Sequence, residues 1–220
     1  MLAALMKICG STRVSLVVKI LCVSDTVMPQ LESAVNLRRR YHDVQLLISC
    51  GDLPPAYLEF ITTTLNVPLF YVRGNHDEGY AENPPGGENL HRQVIQHRGL
   101  TFAGLEGSMN YNRGEVQYTD FEVNWMVLRM GPKLGWRRWR SGHGVDVLVT
   151  HSPAYGIHDR DDLAHRGFKG LRRFLDWYRP RYMLHGHVHT WDRRDTVRTK
   201  YKDTCVININ PFTVLDIDPL

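Results

Sequence analysis

Short apolar runs separated by amphipathic stretches dominate the first third of the chain. Residues 17–23 (VVKILCV) are apolar and rich in β-branched side chains, and they stop at Ser24-Asp25, the pattern of a buried strand. Residues 29–41 set Leu31, Val35 and Leu37 among polar positions and finish on Arg38-Arg39-Arg40, which predicts a helix with basic charge at its C-terminal end. Residues 44–49 (VQLLIS) predict a second strand ending at Gly51-Asp52, residues 54–65 a helix, and residues 67–72 a third strand ending at Gly74-Asn75-His76-Asp77. Strand and helix alternating at this spacing predict right-handed βαβ units with parallel strands, and in such sheets ligands gather beyond the C-terminal strand ends.

Further along, residues 81–93 are rich in Pro and Gly and read as a loop, residues 100–105 and 145–150 as strands, and residues 121–130 as an amphipathic helix. Residues 135–144 (GWRRWRSGHG) read as a basic, aromatic loop. A helix over 169–178 leads into a strand at 181–184 that runs into His185-Gly186-His187-Val188-His189, and the tail predicts strands at 205–209 and 213–217. Nothing breaks the composition, so residues 18–220 are expected to form a single domain.

Composition narrows the possibilities. A chain of 220 residues with 43% apolar and 23% charged residues has the balance of an ordinary globular protein, which excludes disorder. The net charge of +4 is too mild to argue for nucleic acid by itself. Cys9, Cys22, Cys50 and Cys205 lie far apart with no CxxC pair, so neither a disulfide framework nor a zinc knuckle is indicated and a cytoplasmic location is expected. No apolar stretch approaches the roughly 20 residues that span a bilayer, and no membrane partner is expected. The start of the chain lacks the order of a signal peptide, since Lys7, Arg13 and Lys19 interrupt it. Residues 1–17 are expected to be an unstructured extension or an over-extended start, and a chain beginning at Val18 to keep its melting temperature and metal content.

The eleven histidines change the picture, because several fall in tight patterns at strand ends. Asp25, Asp52, Asn75-His76, His151 and His187-x-His189 each follow an apolar run, as SD, GD, GNHD, THS and GHVH. A single such residue reads as a turn former or cap, but five stations ending five strands read as a metal site. Oxygen and imidazole donors of this kind suit Mn, Fe or Zn.

The set resembles the calcineurin-like metallophosphoesterase superfamily, whose pattern is D-x-H, GD, GNHD or GNHE, a lone His, and GHxH in that order. The resemblance implies an α/β fold, a four-layer α/β/β/α sandwich of mixed sheets, with a two-metal site at one end. It implies that Asp52 lies between the metals, that Asn75, His151 and His187 complete one site, and that Asp25 and His189 belong to the other. It further implies one or two divalent transition metals, with Mn favoured, and hydrolysis of a small phosphomonoester or phosphodiester by a metal-held hydroxide attacking phosphorus in line. His76 is expected as general acid, with Asp77 orienting its ring.

One position departs from the pattern. Val27 stands where the family has the histidine of D-x-H, so the first site is short of a ligand and the second is the better candidate for occupancy. An enzyme with a weak first metal and a non-catalytic protein-binding scaffold both remain open. The presence of the other motif residues, His76 above all, favours the enzyme. Arg73, His158 and His165 are candidates for the substrate side, and His185 is expected to point into the sheet. The basic loop around Trp136 and Trp139 offers charge and stacking surface to a nucleic acid, which keeps a nuclease as a less favoured alternative.

Overall fold

In a computed structural model, the structure describes residues 17–142, 144–189 and 197–219. The expectation for residues 1–17 therefore falls, but for Val17, outside the described residues, as does residue 143 of the expected basic loop.

The first half contains β1 (Val18–Val23), α1 (Ala34–Arg40), β2 (Leu46–Ser49), α2 (Pro55–Leu65), β3 (Leu69–Tyr71), β4 (Glu88–Asn89), β5 (Val94–His97) and β6 (Leu100–Leu105). After these come β7 (Ser108–Met109), β8 (Gln117–Tyr118), α3 (Asp120–Ser141), β9 (Val147–Thr150), α4 (Lys169–Tyr178) and β10 (Tyr182–His185). The chain closes with β11 (Arg198–Tyr201), β12 (Thr204–Asn208) and β13 (Phe212–Ile217). A five-stranded sheet runs in the order β13-β1-β2-β3-β4 and a six-stranded sheet in the order β11-β12-β10-β9-β6-β5, with β7 and β8 paired apart.

Strand alternation explains the layering. In β1, Ile20 and Cys22 face the second sheet while Leu21 and Val23 face α1 and α2; in β2, Ile48 and Leu47 divide the same way. In the second sheet Phe102, Val149 and Leu184 face the first sheet, whereas Leu105, Leu148 and Met183 face α3 and α4. Each central strand is thus buried on both faces, which is why it reads as an unbroken apolar run and not as an alternating one. The result is the expected α/β/β/α sandwich of mixed sheets. The parallel pairings of β1 with β2, β2 with β3, β6 with β9 and β9 with β10 bring all five motif stations to one end.

Two expectations are corrected. Residues 135–144 do not form a loop: α3 runs on through them to Ser141 and stops at Gly142, whose left-handed φ of 81° ends the helix. Thr119 and Glu122 close a reciprocal capping box at its start. Val123, Val127, Met130 and Leu134 give it a buried stripe that outlasts the exposed Pro132. The strands β4, β5 and β11, and the two-residue pair β7 and β8, were not anticipated. β4, β5 and β11 are sheet edges of two to four residues, too short to show the apolar run that marks a central strand. In the described residues Cys22 and Cys50 are buried free thiols and Cys205 is free and half-buried.

Candidate metal centre

The centre is assembled from loops that leave the strand ends and press against each other. Asp25 N donates to Gly51 O at 3.1 Å, and Gly186 N to His151 O at 3.0 Å. Such contact leaves no space for side chains. A Cβ on Gly74 would stand 2.0 Å from Asp52 Oδ1, and one on Gly186 would stand 1.9 Å from Ser24 Oγ. The glycines before Asn75 and His187 are therefore required by close backbone approach.

Four donor atoms converge. His151 Nε2 lies 3.0 Å from His187 Nδ1, 3.1 Å from Asn75 Oδ1 and 3.4 Å from Asp52 Oδ2. Among the described residues, Asp52, His151 and His187 are the group that brings three metal-capable atoms within 4.8 Å of one another. The surroundings fix which atoms face inward. His151 Nδ1 bonds Cys50 O at 2.8 Å, and His187 Nε2 bonds Ala164 O at 2.7 Å. Both carbonyls accept, so each ring carries a proton on its outer nitrogen and turns the inner one toward the cluster, as metal-ligating histidines do. Asn75 Nδ2 donates to Tyr111 Oη at 3.3 Å, which turns its carbonyl oxygen toward the cluster.

Electrostatics agree with this arrangement. Burial, with His151 alongside, pushes the His187 imidazole down to about 3, so it is neutral at ordinary pH. Burial opposes charge on His151 as well, but the carboxylates of Asp52 and Asp25 outweigh it and raise its pKa. This is the balance of a site with net negative charge that wants a cation. Two imidazole nitrogens, a carboxylate and an amide oxygen fit Mn, Fe or Zn.

The remaining expected residues divide. Asp25 accepts His187 N through both carboxylate oxygens at 3.0 Å, and neither Asp25 nor His189 joins the cluster. His189 is half-buried, and its carbonyl accepts from Arg160 Nη2 at 2.6 Å. Val27 packs on the apolar layer of α1 and α2 and lines a groove with Tyr57 and Phe60. His76 is exposed at the rim, its backbone N held by Asp52 Oδ1 at 2.9 Å. His165 packs near His187, with ring centres 5.2 Å apart.

Three expected roles are corrected. Asp77 does not orient His76: its Oδ2 accepts Asp52 N at 2.8 Å and Gly74 N at 2.7 Å, bracing the two ligand loops, and burial raises its pKa to about 6. Arg73 does not reach toward a phosphate, because Glu106 takes its Nε and Nη2 at 2.9 Å and Glu115 its Nη1 at 3.1 Å. His158 is not free to meet a substrate, since both ring nitrogens are engaged, by His185 Nε2 at 3.0 Å and Thr199 Oγ1 at 2.8 Å. His185 is fully buried, as alternation suggested.

Tyr111, Glu106 and the carbonyls of Cys50 and Ala164 escaped the sequence reading. Backbone carbonyls carry no side-chain signature, and Tyr111 sits in an irregular loop whose only cue is an aromatic among polar residues.

Known proteins bear on the arrangement. The family model for calcineurin-like phosphoesterase matches residues 18–191. The fold is similar to that of TT1561 of Thermus thermophilus, at TM-score 0.61 and 14% identity over 93% of this chain and 100% of that one. It is also similar to GAP50, the anchor in the inner membrane complex of Plasmodium, at TM-score 0.51 and 12% identity over 87% of this chain and 71% of that one. No curated protein matches the sequence. At such identities these likenesses speak for the fold alone.

Proposed function

The chain belongs to the calcineurin-like phosphoesterase family, and from that premise we propose that it hydrolyses a small phosphomonoester or phosphodiester using one tightly held divalent metal, with Mn favoured. The observation that carries this reading is the convergence of Asp52 Oδ2, Asn75 Oδ1 and His187 Nδ1 on His151 Nε2 at 3.4, 3.1 and 3.0 Å. A divalent metal there supplies Lewis acidity toward phosphoryl oxygen and lowers the pKa of water.

The chain's own residues do the rest. Asp52, Asn75, His151 and His187 hold the metal, and Asp77 keeps the Asp52 and Gly74 loops in register through its two backbone bonds. His76, exposed at the rim, protonates the leaving oxygen. His165 packs against His187 and Tyr111 accepts from Asn75, so each is within reach of a substrate at the cluster. Asp25 and His189 form at most a weak second metal position, because Val27 is committed to the outer apolar layer. Residues 18–220 act as one domain, and the free buried thiols suit a reducing cytoplasm.

The test is a panel of phosphoesters assayed with Mn²⁺ supplied and with metal stripped by chelator. Turnover of a small ester that disappears with the metal is expected. No turnover on any ester would favour the scaffold reading, and cleavage of DNA or RNA the nuclease.

A further inference from the structure

The helix α3 has two apolar faces, and only one is covered. Val123, Val127, Met130 and Leu134 pack against the second sheet and α4. On the other side Phe121, Trp125, Leu128, Trp136 and Trp139 are exposed, from 50% for Leu128 to 78% for Phe121. Their spacings of four, three, eight and three residues keep them within one narrow stripe at about 100° per residue. With Pro132 between them, they make a continuous apolar ridge along a 22-residue helix, about 33 Å long at ~1.5 Å per residue.

Cations border the ridge. Arg129, Lys133 and Arg140 run along one edge and Arg138 lies across from them, all exposed. No acidic residue follows Glu122 in the helix. Arg129 lies over the Trp125 ring, 5.2 Å from its centre, and Trp136 and Trp139 pack together at 5.1 Å. α3 is not apolar enough to cross a bilayer. An exposed Trp, Phe and Leu ridge with Arg and Lys beside it is the arrangement that lies flat in a membrane interface, with indole rings at headgroup depth and cations against lipid phosphates.

From this ridge and its cationic border we infer that α3 docks the protein on an anionic phospholipid surface. A second copy of the chain fits less well. Paired α3 to α3, it would offer only Asp120 and Glu122 as acidic groups on that helix, and these already accept from Lys169 N at 2.9 Å and from the Thr119 cap at 2.7 Å. An anionic bilayer meets all the cations at once. The contact needs no pocket, and it is independent of the chemistry at the metal centre.

The experiment uses the full chain with vesicles of phosphatidylcholine alone or with about one third phosphatidylglycerol, read by co-sedimentation. Binding is expected to the anionic vesicles, to weaken between 50 and about 300 mM salt as exposed charges are screened, and to be much weaker on phosphatidylcholine. Trp136→Ser with Trp139→Ser should lower the partition coefficient at least tenfold, and Arg138→Gln with Arg140→Gln about 25-fold, at about fivefold per lost cation. Both pairs are exposed, so melting temperature should hold. Val35→Ser, at an exposed apolar position on α1, should bind as the unaltered chain does. The inference is overturned by no binding to anionic vesicles or by binding that the tryptophan pair leaves intact. It is equally overturned by a dimer in light scattering that the same pair dissolves, or by DNA oligonucleotide binding in place of vesicle binding.

Discussion

Adding one methyl group at Gly74 tests the metal centre through its tightest contact. The backbone there is open to alanine, so the substitution acts through space alone. The new Cβ would stand 2.0 Å from Asp52 Oδ1, 2.6 Å from Asp52 Cγ and 2.7 Å from His151 Cε1, against ordinary contacts of about 3.5–4.0 Å. Both ligands must move by about 1 Å or more, and Asp52 would lose the bond it accepts from His76 N at 2.9 Å. Disturbing the groups that merely orient a ligand costs about 10–100-fold in metal affinity. Moving two ligands themselves should cost at least about 100-fold, or about 2.7 kcal/mol. Overpacking adds about 1–3 kcal/mol of destabilisation in the metal-free protein, a drop of about 2–12 °C in melting temperature. The assay is isothermal titration of Mn²⁺ and Zn²⁺ into chelator-treated protein, beside thermal unfolding in chelator. Gly79→Ala is the control, because a Cβ there meets nothing within 4 Å. Metal affinity within threefold of the unaltered protein, with melting unchanged, would refute both the geometry and the assignment of Asp52 and His151 as ligands.

Other outcomes follow from the same contacts. His76→Ala should keep metal affinity within about threefold yet lower turnover by about 10²–10⁴, most for poor leaving groups; an unchanged rate on such a substrate would remove His76 from the acid role. Val27→His should leave stoichiometry near one metal in elemental analysis, because the side chain at 27 packs into the layer of Tyr57 and Leu31 and not toward Asp25. Two tightly held metals in that variant would show that the loop can turn. Glu106→Gln should destabilise by about 3 kcal/mol in denaturant titration, since it removes the charge that faces Arg73 and replaces one of the two oxygens that accept from Arg73 and Tyr118 with an NH2 donor. Burial opposes ionisation of Glu106, but Arg73 and His91 more than offset it and lower its pKa below the ordinary 4.5. Its contribution is thus present above about pH 4.5 and lost as pH falls through the lower folded value, so the gap between variant and parent should close in acid.

The candidate ligands were legible in the sequence because each is tied to a local rule. A buried central strand must be an apolar run, and the residue just past its C-terminal end faces the shared end of the sheets, so Asp52, Asn75, His151 and His187 could be found by reading run ends alone. The cap of α3 and the edge strands show the limit of that rule. β11 (RTKY) has no apolar run because only one of its flanks is paired, and α3 continues past Pro132 because a buried stripe, invisible as such in a stretch full of Arg and Trp, holds it to α4. Which partner each side chain takes was decided only by tertiary structure. Arg73 follows a strand as plausibly as any phosphate ligand, yet Glu106, 33 residues away, reaches it first. Asp77 sits beside His76 in the chain, but its carboxylate turns to two backbone amides of the ligand loops, because buried N–H groups left unpaired cost more than a carboxylate's change of neighbour. Val27 likewise lies two residues from Asp25 and faces the other way, into apolar contacts that only the packing of α1 and α2 on the first sheet creates.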